Sequence, residues 1–187
     1  MARVEISKNN YRAFATVNDI RGTFREHRVE LEWLAYFITG DRTTAQGCVS
    51  DACLLSEGHN GVFRQWLLTW ARHATIRSAI ETQHDRIKEA ARKYDRTGFV
   101  QCTGEPLKQD AIETLVRCSD SFIARLDVLS RTALVICGIQ SSPIADAALM
   151  LGISRSVASA AYCAALDCLE AIPCEHLANQ NETQLNI

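Results

Sequence analysis

An all-α fold, with two small helical domains joined by a linker and a helix-turn-helix in the second, is predicted by three observations. Apolar residues recur at three-four spacing through most of the 187 residues, and period-two alternation is scarce. Gly40-Asp41 and Gly152-Ile153-Ser154 each work as a stop followed by a start, a glycine ending one helix and a capping residue opening the next. Thr97 to Pro106 holds Gly98, Gly104 and Pro106 without apolar periodicity and separates two helical blocks. The expected organisation is a first domain over 1–96, a linker over 97–108, a second domain over 109–175 and a polar tail over 176–187.

In the first block, Thr23 to Thr39 carries Leu31, Leu34, Ala35 and Ile38 with Trp33 and Phe37, which predicts one well-buried helix. Thr43 to Leu55 places Ala45, Cys48, Val49, Ala52 and Leu55 on one side of a second. Glu57 to Gly61 is a turn. From Val62 a long helix follows, with Phe63, Trp66, Leu67, Trp70, Ala71 and Ala74 as its buried stripe. On the opposite arc stand Arg64, Gln65, Thr69, Arg72 and His73.

The second block starts near Lys108 and runs through Leu115, Phe122, Leu126 and Leu129, then Leu134 to Gly138. Ser142 is placed to cap the next helix, with Pro143 at its first position, where an N–H has no partner anyway. Ala145, Ala148 and Leu149 form its apolar stripe, Gly152 allows a left-handed turn, and Ser154 caps the last helix. That spacing is the sign of a helix-turn-helix.

Charge is distributed more tellingly than its sum of −2 suggests. From Arg64 to Arg96 eight basic residues face four acidic ones, and from Gly98 onward five face ten. A polyanion would therefore meet the middle of the chain, unless the charges there pair along a helix, as Asp85–Lys88 and Glu89–Lys93 are spaced to do. The eight cysteines contain no Cys-x-x-Cys pair, which argues against zinc and for free thiols within apolar helix faces. No metal and no cofactor are expected. The N-terminus lacks an apolar run of signal or membrane-span length, so a cytoplasmic protein is expected. The chain carries no nucleophile–base motif, no Gly-rich phosphate loop and no carboxylate–His metal pattern, which points away from an enzyme.

Two strings carry a resemblance. Leu31-Glu32-Trp33-Leu34-Ala35-Tyr36-Phe37-Ile38-Thr39-Gly40-Asp41, then Ala45 to Leu55, then Val62 to His73 with Phe63-Arg64-Gln65-Trp66-Leu67 and Ala71-Arg72, resembles region two of bacterial sigma factors of the sigma-70 family. The small, two-domain, extracytoplasmic-function group is the most similar. Leu126 to Ile172, with Leu151-Gly152-Ile153-Ser154-Arg155-Ser156-Val157-Ala158, resembles region four of the same group, a helix-turn-helix.

The resemblance implies a transcription initiation factor whose partners are core RNA polymerase, promoter DNA and an anti-sigma protein. It implies DNA contacts from Arg64, Gln65, Thr69, Arg72, His73 and Arg77 in region two, and from Arg155, Ser156 and Ser159 in region four. It implies polymerase contacts from Asp51 and Leu54. Two departures matter. Between Ala45 and Cys53 the chain keeps one acid, Asp51, where the family is acidic, and Gly47 weakens that helix by up to about 1 kcal/mol relative to Ala. The outward face expected for the last helix shows Ser156, Ser159, Ala160, Cys163, Asp167 and Glu170, with Arg155 its one basic side chain. Either this domain reads DNA only through Arg155 and the helix start, or it serves as a protein-binding adaptor.

Overall fold

Helix is the only regular structure among the described residues, 14–58, 61–95 and 105–171 of a computed structural model. The chain divides into two compact units, Met1–Glu89 and Ala90–Ile187, so the division falls inside a helix. The expected linker residues 97–104 and the tail beyond Ala171 lie outside the described residues.

The first unit opens with α1 (Val17–Glu26), which the apolar pattern alone does not reveal. A capping box starts it: the Asp19 N–H donates to the Thr16 hydroxyl at 3.2 Å, and the Thr16 N–H donates to Asp19 Oδ2 at 2.8 Å. Ile20 and Phe24 bury its inner face. The single helix expected from Thr23 is in fact two, because His27, at φ −100° and ψ 17°, breaks the chain before α2 (Arg28–Thr39). Leu31, Leu34, Ala35, Phe37 and Ile38 are all buried, each large one contributing roughly 1.5–3 kcal/mol. Gly40 closes α2 in the left-handed conformation, φ 73°, and Asp41 caps α3 (Arg42–Glu57) by accepting from the Thr44 N–H at 2.7 Å.

In α3 the buried side is Ala45, Cys48, Val49, Ala52 and Ser56, not Leu55, which is 62% exposed. Ser56 takes that place because its hydroxyl is satisfied twice: it donates to the Ala52 carbonyl at 2.6 Å and accepts from Trp70 Nε1 at 3.2 Å. A second correction concerns the long helix from Val62. Phe63 is extended, pairing with Phe14 in an isolated antiparallel bridge, and the Ala15 N–H donates to the Val62 carbonyl at 2.7 Å. A 3₁₀ turn over Arg64–Trp66 follows, and α4 (Leu67–Thr82) begins only then. It ends at Gln83, before α5 (His84–Tyr94). Helices α2, α3 and α4 pack on one another, with α1 against α3 and α4.

The second unit contains the last turn of α5, then α6 (Gln109–Arg117), α7 (Ser119–Arg125) and α8 (Val128–Ala133). A π-helical segment, Leu134–Ile139, continues α8. The Tyr94 hydroxyl lies 2.7 Å from Asp127 Oδ2 and 2.6 Å from Ser130 Oγ, while Asp127 caps α8 through the Ser130 N–H at 2.9 Å. Leu107 seats on Gly138, its N–H donating to the Gly138 carbonyl at 3.0 Å. A Cβ at position 138 would lie 2.9 Å from Leu107 Cγ, so the glycine is what lets Leu107 approach.

Helices α9 (Ile144–Leu151) and α10 (Arg155–Glu170) complete the unit, bent 109° from each other at a short turn. Gly152 has φ 63°, and Ser154 accepts from the Val157 N–H, both as expected. Ser142 does not cap α9. Pro143 occupies the cap position without a side-chain bond, and the Ser142 N–H donates instead to the Ile136 carbonyl. The stripe of α9 is Ala147, Ala148 and Leu151; Ala145 and Leu149 face solvent, Leu149 at 80%. Helix α9 packs against α10 and the π-helical segment, and Ala147, Ala148 and Leu151 are what it buries. Among the described residues no single helix is long and apolar enough to cross a membrane.

Candidate nucleic-acid interface

The surface around the start of α4 is built by the bridge between Phe14 and Phe63. Their rings stack at 4.7 Å and 17°, and Trp66 meets Phe63 edge-on at 5.4 Å and 89°. Placing Phe63 in that bridge turns the following residues out of helical register. Trp66, expected in the core, is therefore 56% exposed, and Phe14 is 58% exposed. Trp70 stays part-buried and donates to Ser56. The result is a ladder of three rings, exposed at Phe14 and Trp66 and half-buried at Phe63, of the kind on which a planar base can stack.

Arg64 and Gln65 sit in the 3₁₀ turn rather than on the arc of α4, which corrects their expected alignment with Thr69 and Arg72. Thr69, His73 and Arg77 do form an exposed row along α4, and Arg72 is half-buried beside it. The arginines are not free. Arg64 donates through Nε and Nη2 to Asp19 Oδ2, both at 3.0 Å. Hydrogen bonds from the Thr16 backbone and hydroxyl, and then the Arg64 charge, hold the Asp19 carboxyl below its usual range. Arg72 Nε donates to Glu30 on α2, and His27 Nδ1 lies 3.6 Å from the same carboxylate. Arg77 pairs with Glu81 one turn on, at 3.0 Å.

On α5 the opposite holds. Lys88, Arg92 and Lys93 are exposed, and none is within 4.0 Å of a carboxylate among the described residues. The spacing of Asp85–Lys88 and Glu89–Lys93 does not become pairing, since exposed pairs on a helix gain little over water. Helix α5 thus carries unpaired positive charge at Lys88, Arg92 and Lys93, which are absent from the expected contact residues.

Asp51 and Leu54, the expected polymerase contacts, line a cavity of about 470 Å³ with Leu55, Ser78, Glu81 and Thr82. Leu54 is 66% exposed, so two leucines and two carboxylates share this opening between α3 and α4.

In the second unit Arg155 is exposed at the start of α10, and Ser156 Oγ lies 2.9 Å from Ser154 Oγ. Ser159 is 6% exposed and Ala160 5%, so neither belongs to the outward face expected for them. The reason is that α10 is flanked by α7, α8, the π segment and α9, which cover more of its circumference than one apolar stripe requires. Cys48, Cys53, Cys118, Cys137 and Cys168 are free thiols, and burial raises the Cys137 thiol to about 11. Cys163 departs from the all-thiol expectation. It is disulfide-bonded. No cluster of metal-binding side chains occurs among the described residues.

The residues of this surface that pattern reading misses are Asp19 and Glu30, whose carboxylates sit on the arginines. Thr16-Val17-Asn18-Asp19 carries a capping-box signal from which α1, and so the position of Asp19, was readable. Nothing local marks Glu30. No family model, curated protein or solved structure matches this chain.

Proposed function

We propose that this chain is a divergent sigma-like transcription initiation factor of the extracytoplasmic-function kind, binding core RNA polymerase and promoter DNA. Region two is then the first unit and region four, a helix-turn-helix, the second. The observation that carries the reading is the ring ladder Phe14–Phe63–Trp66, exposed at its two outer rings, beside Arg64 and Gln65, with Thr69, His73 and Arg77 continuing along α4. Such a surface suits an unwound strand: rings stack on bases of any sequence, each worth ~1–3 kcal/mol, while cations and amides track the backbone. The cationic α5 adds attraction for phosphate.

The opening at Asp51, Leu54, Leu55 and Glu81 suits a helix that presents arginines around an apolar ridge, which is the chemistry asked of a polymerase clamp. An anti-sigma protein belongs to the same reading as a restraining partner, and no catalytic role is proposed. For the second unit one observation favours the adaptor reading instead: Ser159 and Ala160 are buried, and Arg155 is left as the sole cation of α10.

The test is co-purification of the full chain with bacterial core RNA polymerase, using Asp51→Arg as control. Binding that the substitution abolishes supports an initiation factor. Absence of binding at moderate salt transfers the lead to the adaptor reading. In parallel, Trp66→Ala is expected to weaken single-strand binding about tenfold.

A further inference from the structure

We infer that Asp19 and Glu30 are built-in competitors for the polyanion, neutralising Arg64 and Arg72 so that a nucleic-acid strand binds only by displacing them. The inference rests on the strand-binding reading above and adds a control on it.

Three facts combine. Arg64 is held by Asp19 of α1 and Arg72 by Glu30 of α2, so each guanidinium faces a carboxylate brought from another helix by the fold. Both pairs stand beside the row that would meet phosphate, and both are accessible: side-chain exposures are 42% and 30% for Arg64 and Asp19, 34% and 37% for Arg72 and Glu30. A phosphate arriving at either pair meets a sum of zero charge. Counter-ion release scales with the number of phosphates a protein neutralises, so these arginines contribute next to nothing to attraction while paired.

An exposed ion pair is also readily exchanged, because water already screens it. The guanidinium offers five donors in a fixed fork and uses Nε and Nη2 on Asp19, so a strand can approach the remaining donors before the carboxylate leaves. Asp19 is held in place by bonds from the Thr16 N–H and hydroxyl, which do not involve Arg64. The pair Arg77–Glu81 differs, being confined to one helix and the most exposed, with 78% of Arg77 open.

The experiment is fluorescence anisotropy of a labelled mixed-sequence single strand with the full chain, read over a series of salt concentrations. Wild type is compared with Glu30→Gln, Asp19→Asn, Arg72→Ala and Arg64→Ala, and with Arg72→Ala combined with Glu30→Gln. Each acid-to-amide change is expected to tighten binding about five- to tenfold at ~50 mM salt and to steepen the log–log salt slope by about 0.7. The gain from Glu30→Gln should vanish when Arg72 is absent. Tightening without that dependence, unchanged affinity, or weaker binding, in a protein whose arginine variants do lose affinity, overturns the competitor role and leaves the strand-binding reading standing. If wild type and amide variants all fail to bind at low salt, both fall. Asp19→Asn touches the cap of α1, so Glu30→Gln decides where far-ultraviolet dichroism shows α1 altered.

Discussion

Helices α4 and α10 are each 16 residues long, and both were expected to present polar residues to DNA, yet the fold treats them differently. In α4 the polar positions Thr69, His73 and Arg77 stay at the surface, although α1, α2 and α3 all pack on this helix. In α10 the neighbours reach further round, and Ser159 and Ala160 are sealed in. Tyr162 is wholly buried there, with its hydroxyl donating to the Glu105 carbonyl at 2.6 Å. The lesson is that a small polar residue on a helix is addressed by its surroundings, whereas an arginine reaches the surface and then depends on which acids the fold brings to it.

The largest way to break this comparison is to place the same arginine on both helices. Ser159→Arg forces a long charged side chain into a position only 6% exposed and should cost roughly 3 kcal/mol or more, read as a lost or sharply lowered melting transition. Thr69→Arg on the open row of α4 should stay within ~0.5 kcal/mol of wild type. Equal effects of the two would show that the faces are misassigned.

Smaller, and confined to the second unit, is the contact of Tyr94 with Asp127 and Ser130. Tyr94→Phe should lower stability by about 1 kcal/mol in urea titrations. Burial, chiefly, raises Tyr94 from 10 to about 12, and the same cause raises Tyr162 to about 12. A phenol that ionises more easily unfolded than folded stabilises the fold fully below pH 10, and that contribution is lost as pH climbs through 12. Wild type should therefore lose stability more steeply than Tyr94→Phe across that interval. The smallest effect is a gain. Gly47 is an exposed helix-interior glycine of α3 with open space around its missing Cβ, so Gly47→Ala should stabilise by about 0.5–1 kcal/mol, seen as a higher melting temperature.

Much of the candidate site was legible as residue types and little of it as geometry. Thr69, His73 and Arg77 stand exposed as helical spacing implies, and Asp51 and Leu54 do share one opening. The ring ladder was not legible, because it depends on Phe14 pairing with Phe63 across 49 positions of sequence. With that pairing α4 starts at Leu67, five residues later than expected, and Trp66 is turned outward. The pairing of Arg72 with Glu30 was equally out of reach, since it requires α2 and α4 to lie side by side at that height.

What the sequence determined by itself are the events contained within one helical turn. Gly40 and Gly152 end their helices because only an uncrowded Cα takes positive φ easily, and Asp41 and Ser154 start the next by bonding an N–H three residues on. The all-helical class follows from the same short-range rules and from three-four apolar spacing. Tertiary structure alone decided which of two adjacent residues faces inward, as with Ser56 over Leu55, and which charges cancel. Those outcomes turn on atoms far apart in the chain, whose approach is fixed by packing and hydrogen-bond satisfaction and leaves no local mark.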